Sequence, residues 1–64
     1  MIINSEERRF EREILITELL LEWDLDKEKV VVEVNGEIVA KDKFDSHLLS
    51  DRDIIEIVGF VGGG

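Results

Sequence analysis

Apolar residues recur along this chain in two different periods, and the places where the period changes mark the elements. Met1-Ile2-Ile3 opens as a short apolar run followed by the polar Asn4-Ser5-Glu6-Glu7, which reads as a strand and a turn. In Arg8-Arg9-Phe10-Glu11-Arg12 only Phe10 is apolar, which suits an exposed second strand pairing with the first. The period then lengthens. Ile16, Leu19, Leu20 and Trp23 fall at i, i+3, i+4 and i+7, the stripe of a helix of about ten residues. Leu21 lies about 140° from Ile16 on the same wheel, so the helix does not bury it. Asp24-Leu25-Asp26-Lys27-Glu28-Lys29 is a polar link. The β-branched Val30-Val31-Val32-Glu33-Val34 returns to period two, with Glu33 outward and Val32 and Val34 inward.

Asn35-Gly36 is the strongest interior turn signal. Both central residues of a type I′ turn need positive φ, so Val34 and Glu37-Ile38-Val39 flank a hairpin. A loop comes next, in which Phe44, Leu48 and Leu49 are expected to plug the core. Asp51-Arg52-Asp53 turns into a last strand, where Ile55 and Ile57 face inward while Glu56, Val58 and Phe60 face outward. The order strand, strand, helix, strand, short strand, loop, strand predicts an α+β fold of the β-grasp (ubiquitin-like) type. Such a fold is a mixed sheet curled around one helix, with the first and last strands parallel at its centre. The expected division is a β-grasp domain over residues 1–61 and a flexible glycine tail over 62–64.

At 64 residues the chain makes one small domain. A chain of this size buries only about 60% of its unfolded surface, and a core this small supplies on the order of 3–5 kcal/mol. That leaves little room for a private active-site cavity and argues against an autonomous enzyme. Sixteen acidic residues against eight basic ones give a formal charge of −8. Such a field disfavours nucleic acid and anionic membrane and favours a basic protein surface. With no cysteine, disulfides, thiolate nucleophiles and cysteine zinc sites are excluded. No apolar run approaches the ~18 residues of a membrane span, and the expected location is the cytoplasm.

Candidate chemistry concentrates at the end, Gly62-Gly63-Gly64. Glycine lacks Cβ and can enter a narrow cleft with almost any backbone angles. A terminal carboxylate on Gly64 is a group that ATP could activate as an acyl adenylate without touching a side chain. Any sulfur carried by this chain must then sit on that carbonyl as a thiocarboxylate. Gly64 is thus the expected site of activation, Gly62 and Gly63 the threaded tail, and Val58, Phe60 and Val61 the expected partner contacts. Elsewhere the signals are structural. His47 sits in a polar loop without a Ser, Cys or acidic constellation that implies catalysis, and reads as a solvated or capping histidine. Asp24 and Asp26, and Asp51 and Asp53, lack the glycine and downstream glutamate of a calcium loop and read as turn residues. No catalytic or metal-ligating set is expected.

Three segments resemble the ThiS family, the sulfur carriers of thiamine biosynthesis: Val32-Glu33-Val34-Asn35-Gly36-Glu37-Ile38-Val39, Leu49-Ser50-Asp51-Arg52-Asp53-Ile54-Ile55-Glu56-Ile57-Val58, and Phe60-Val61-Gly62-Gly63-Gly64. Glu18-Leu19-Leu20 also fits the family pattern. Arg52 stands where the family usually has glycine, so the resemblance implies a bulkier residue in that turn, in the left-handed region. Ala40 replaces a usual proline, and Phe44 a usual tryptophan. The resemblance implies a three-stage cycle. An E1-like adenylating enzyme (ThiF) uses ATP and magnesium to adenylate the Gly64 carboxylate. A sulfur donor, typically supplied by a cysteine desulfurase, converts it to a thiocarboxylate. Thiazole synthase (ThiG) takes the sulfur. Three alternatives stand beside this: the small subunit of molybdopterin synthase, a protein-conjugating ubiquitin-like modifier, and a non-catalytic binding module with a glycine spacer.

Overall fold

The computed structural model describes residues 1–59. Seven short strands and one helix run in the order β1 (Ile2–Ile3), β2 (Glu6–Glu7), β3 (Ile14–Leu15), α1 (Ile16–Glu22), β4 (Val30–Val34), β5 (Glu37–Val39), β6 (Leu48–Leu49) and β7 (Ile54–Gly59). The main sheet has the order β2-β1-β7-β4-β5, and β3 pairs with β6 in a separate two-stranded ribbon. β1 and β7 run parallel, Ile2 beside Ile54 and Ile3 beside Ile55, while β4 and β7 run antiparallel from Val30–Gly59 to Val34–Ile55. The last strand is therefore central and the sheet mixed, as the β-grasp order requires.

Strand parity decides the core. Val30, Val32 and Val34 of β4 and Ile55 and Ile57 of β7 are buried on one face, where they meet Ile3 and the helix stripe Ile16, Leu19 and Leu20. Trp23, Phe10, Leu25 and Val39 pack around this cluster as half-buried residues. Phe44 is buried and fixed against the helix start, where Thr17 N donates to Phe44 O at 3.1 Å. Leu21 is 73% exposed, as its position on the wheel predicts.

Four expectations are corrected. The helix has seven residues, not about ten. It stops because Asp24 enters the left-handed region at φ 57. Leu25 N then donates to Leu20 O at 2.8 Å and Asp24 N to Leu21 O at 3.1 Å, the bond pair of a Schellman cap, with Leu25 tucked back on the core. The second strand is Glu6–Glu7, not Arg8–Arg12. Asn4 and Ser5 both have positive φ (53 and 71), so a two-residue turn starts the pairing at once. Arg8 closes that ladder with Met1, and Phe10 leaves it to cover the core.

Leu48 is no plug, being 51% exposed. β6 pairs Leu49 with Ile14 and Leu48 with Leu15, and alternation sends only Leu49 inward. Finally, Arg52 does not occupy the left-handed region: among the described residues, the non-glycine positions with positive φ are Asn4, Ser5, Asp24 and Asn35. The turn closes instead by Asp53 N donating to Ser50 O at 3.0 Å and Ser50 N to Asp53 Oδ2 at 2.8 Å, which a bulky residue accommodates.

Candidate functional site

The expected chemistry lies beyond β7. Phe60, Val61, Gly62, Gly63 and Gly64 fall outside the described residues, and β7 is the element that leads to them. Hydrogen bonds grip β7 from both sides. At its start Asn35 N donates to Ile54 O (2.7 Å), and Asn35 Oδ1 accepts from Ile54 N (2.9 Å). Asn35 Nδ2 reaches Asp53 Oδ1 at 3.0 Å. One hairpin asparagine, placed at φ 54 by the Asn35-Gly36 turn, thus pins the entry to the last strand. Asn4, in the other turn, does the same further along. Its backbone N donates to Ile55 O at 2.9 Å, and its Oδ1 accepts from Ile57 N at 2.8 Å.

The outer face of the sheet leads towards the tail. Val58 is 53% exposed and stands opposite Val31. It is the one expected contact residue within the described chain, and it faces outward as parity predicts. Ile54 and Ile38 are also exposed on this side, and Ile2, beside Ile54, extends it. Between them Glu33 and Glu56 lie directly opposite each other in the ladder. Like charges in that position repel. Neither joins any of the three ion pairs among the described residues, Arg8–Glu6, Arg12–Glu18 and Lys41–Glu28. The face is apolar at its ends and acidic at its middle.

The other singled-out residues serve the fold. His47 is half-buried, and its backbone is what matters: its carbonyl accepts from Ile16 N at 3.1 Å and its N donates to Lys43 O at 2.9 Å. Asp26 caps a 3-10 turn by accepting from Glu28 N at 2.9 Å. Asp53 ties two turns together through Ser50 and Asn35. Among the described residues no group of three or more metal-ligating side chains comes together. No helix of the described residues is long and apolar enough to cross a membrane.

Sequence reasoning missed Asn4, whose side chain acts on a residue 53 positions away. It also missed the acceptor at the helix start. Leu15 has no side-chain acceptor, so the helix has half a capping box: Glu18 Oε1 accepts from Leu15 N at 2.9 Å. That bond, and then Arg12, holds the Glu18 carboxyl below its ordinary pKa. The glutamate three residues into the helix was the available signal.

Comparison with known proteins agrees with this architecture. The ThiS family model matches residues 1–64. The sulfur carrier protein ThiS of Bacillus subtilis is 49% identical over 49 residues, covering 77% of this chain and 74% of its own. A thiazole synthase of Paramagnetospirillum magneticum is 44% identical over all 64 residues, which make up only 20% of that protein's length. This chain thus spans about a fifth of that relative. The crystal structure of the thiamine biosynthesis protein ThiS from Geobacter metallireducens superposes with a TM-score of 0.82 at 32% identity, covering 98% of this chain and 96% of that one. With the family model spanning the whole sequence and the fold reproduced in a solved relative, this chain belongs to the ThiS family of sulfur carrier proteins.

Proposed function

We propose that this carrier works through the carboxylate of Gly64, which an E1-like adenylating enzyme activates with ATP and magnesium. A carboxylate resists attack because its negative charge is delocalised and its leaving group is poor. Joining it to AMP releases pyrophosphate and gives a mixed anhydride with a good leaving group. A sulfur nucleophile then forms a C–S bond as the C–O bond to AMP breaks: sulfide gives the thiocarboxylate directly, while a persulfide delivered by a cysteine desulfurase gives an acyl disulfide whose S–S bond a thiol reductant cleaves. The resulting thiocarboxylate passes its sulfur to thiazole synthase. The partners supply the catalytic groups, so the chain is a co-substrate of two enzymes. Its place of work is the cytoplasm, where those partners act.

The observation that supports this reading is the anchoring of β7. The strand leading to the glycines is the central one, held by Asn35 and Asn4 on opposite sides and by β4 along its length. A partner can pull on the residues beyond it without unravelling the domain. Gly62 and Gly63 form the thread that passes through the partner's cleft, and Val58, Phe60 and Val61 make the contacts at its mouth. The similarity to a chain named thiazole synthase supports that enzyme as a partner.

Reconstitution with ATP, magnesium, the adenylating enzyme and a sulfur source tests this. The protein gains about 16 Da, one oxygen exchanged for sulfur, and the gain maps to the C-terminal peptide. Deleting Gly64 abolishes the gain and leaves the melting temperature unchanged, because the end of a chain contributes little to stability. A deletion variant that still gains sulfur would overturn the proposal.

A further inference from the structure

β7 is a central strand for only part of its length. Asn35 N bonds Ile54 O, so residues 54, 56 and 58 direct their backbone groups at β4, opposite Asn35, Glu33 and Val31. Alternation in an antiparallel ladder turns the groups of residues 55, 57 and 59 the other way, towards β1. There Ile2 N takes Asp53 O at 3.0 Å, Asn4 N takes Ile55 O at 2.9 Å, and Ile57 N finds Asn4 Oδ1 at 2.8 Å. Beyond that point β1 is finished, because Asn4 and Ser5 turn the chain into β2. The Ile57 carbonyl and the Gly59 N–H and carbonyl continue along the same edge, and no strand of the described residues lies beside them.

Gly59 adds an independent sign. Its φ lies outside the left-handed region, and a Cβ built on it would meet nothing within 4 Å. Neither a turn nor packing among the described residues calls for glycine there, and glycine inside a strand often marks the close approach of another backbone.

We propose that the edge of β7 at Ile57–Gly59 receives an extended backbone segment of the adenylating enzyme, which adds a short strand beside β7 while the tail is gripped. This rests on the carrier reading above. The edge runs directly into the tail, so a partner holding the tail already lies alongside it. It offers too few backbone groups to hold a second copy of this chain alone, yet enough to fix the register of a segment docked for another reason. Strand addition supplies main-chain hydrogen bonds and leaves side-chain identity free.

Gly59→Pro removes the donor and places its ring in the edge, a position where strands tolerate proline. This variant keeps the wild-type melting temperature but binds the adenylating enzyme about ten-fold more weakly, the loss expected for one or two net hydrogen bonds. Gly59→Ala keeps the N–H but adds a Cβ where the partner's backbone approaches, so it binds more weakly than wild type yet more tightly than Gly59→Pro. In wild-type protein the Gly59 amide exchanges rapidly when free and is protected in the complex with the enzyme and a non-hydrolysable ATP analogue. Should Gly59→Pro fail to fold, the exchange measurement decides alone. Equal binding by a folded Gly59→Pro, or an amide equally fast in the complex, overturns the proposal. So does protection in the free protein that is lost on deleting residues 60–64, or protection that rises with carrier concentration alone. Wild-type protein that gains sulfur without protection of Gly59 sinks this inference only. Wild-type protein that neither binds nor gains sulfur sinks the carrier reading with it.

Discussion

At the scale of single residues, three polar side chains do more than their local sequence announces. Asn35 was legible, because a type I′ turn demands positive φ at two successive positions and Asn-Gly meets that locally. Its grip on Ile54 and Asp53 was not, since it depends on where a distant strand lies. Asn4 likewise reads only as a turn residue until the parallel pairing of β1 and β7 brings Ile57 N to its amide oxygen. Glu18 carries a prediction. Its carboxylate accepts from Leu15 N and sits near Arg12, both favouring the charged form, and its pKa is lowered from 4.5. A carboxyl depressed on folding contributes stability above its unfolded pKa and loses it as pH falls through the folded value. Titration followed by carboxyl NMR should therefore place Glu18 below the ordinary value of 4.5, and Glu18→Ala should remove part of the stability lost on acidification below about pH 4.5. A Glu18 midpoint at or above 4.5 would show that the half capping box does not form in solution.

At the scale of elements, periodicity located α1, β1, β4, β5 and β7, but neither the ribbon of β3 and β6 nor every limit and orientation. The helix stripe is set by a 3.6-residue repeat that sequence displays directly. Its end is set by Asp24 adopting a left-handed conformation usually given to glycine, which nothing in Asp24-Leu25-Asp26 announces. Leu48 and Leu49 look equivalent in sequence, and only the ribbon with Ile14–Leu15 decides which one faces in. The helix phase yields a paired prediction. Leu20 is 2% exposed, and Leu20→Ala should cost about 2–5 kcal/mol by leaving a cavity. Leu21→Ala, at a position mostly in solvent, should stay within about 0.5 kcal/mol of wild type. Chemical denaturation of both variants checks this, and equal losses would place α1 in a different rotation.

At the scale of the whole molecule, topology was legible because the order of elements and the apolar character of the last strand agree on one arrangement. How the charge of −8 is spread was not, because residues 33 and 56 become neighbours only through strand pairing. The Glu33–Glu56 pair lies at the middle of the outer face, flanked by Val31, Val58, Ile38 and Ile54. It costs the free protein a cross-strand repulsion, and it sets an acidic centre in an apolar surround. A basic side chain arriving there would relieve the repulsion while the apolar rim is covered. Association with the proposed adenylating enzyme should then slow as salt rises, because the Debye length shrinks to about 8 Å at physiological ionic strength. The double variant Glu33→Gln/Glu56→Gln should melt slightly higher than wild type yet associate more slowly at low salt, with a shallower salt dependence. Stopped-flow association across a salt series, with a melt of the same samples, separates the two effects. Rates that do not change with salt in either protein would reduce the acidity to ordinary solvation and leave the outer face to act through its apolar residues alone.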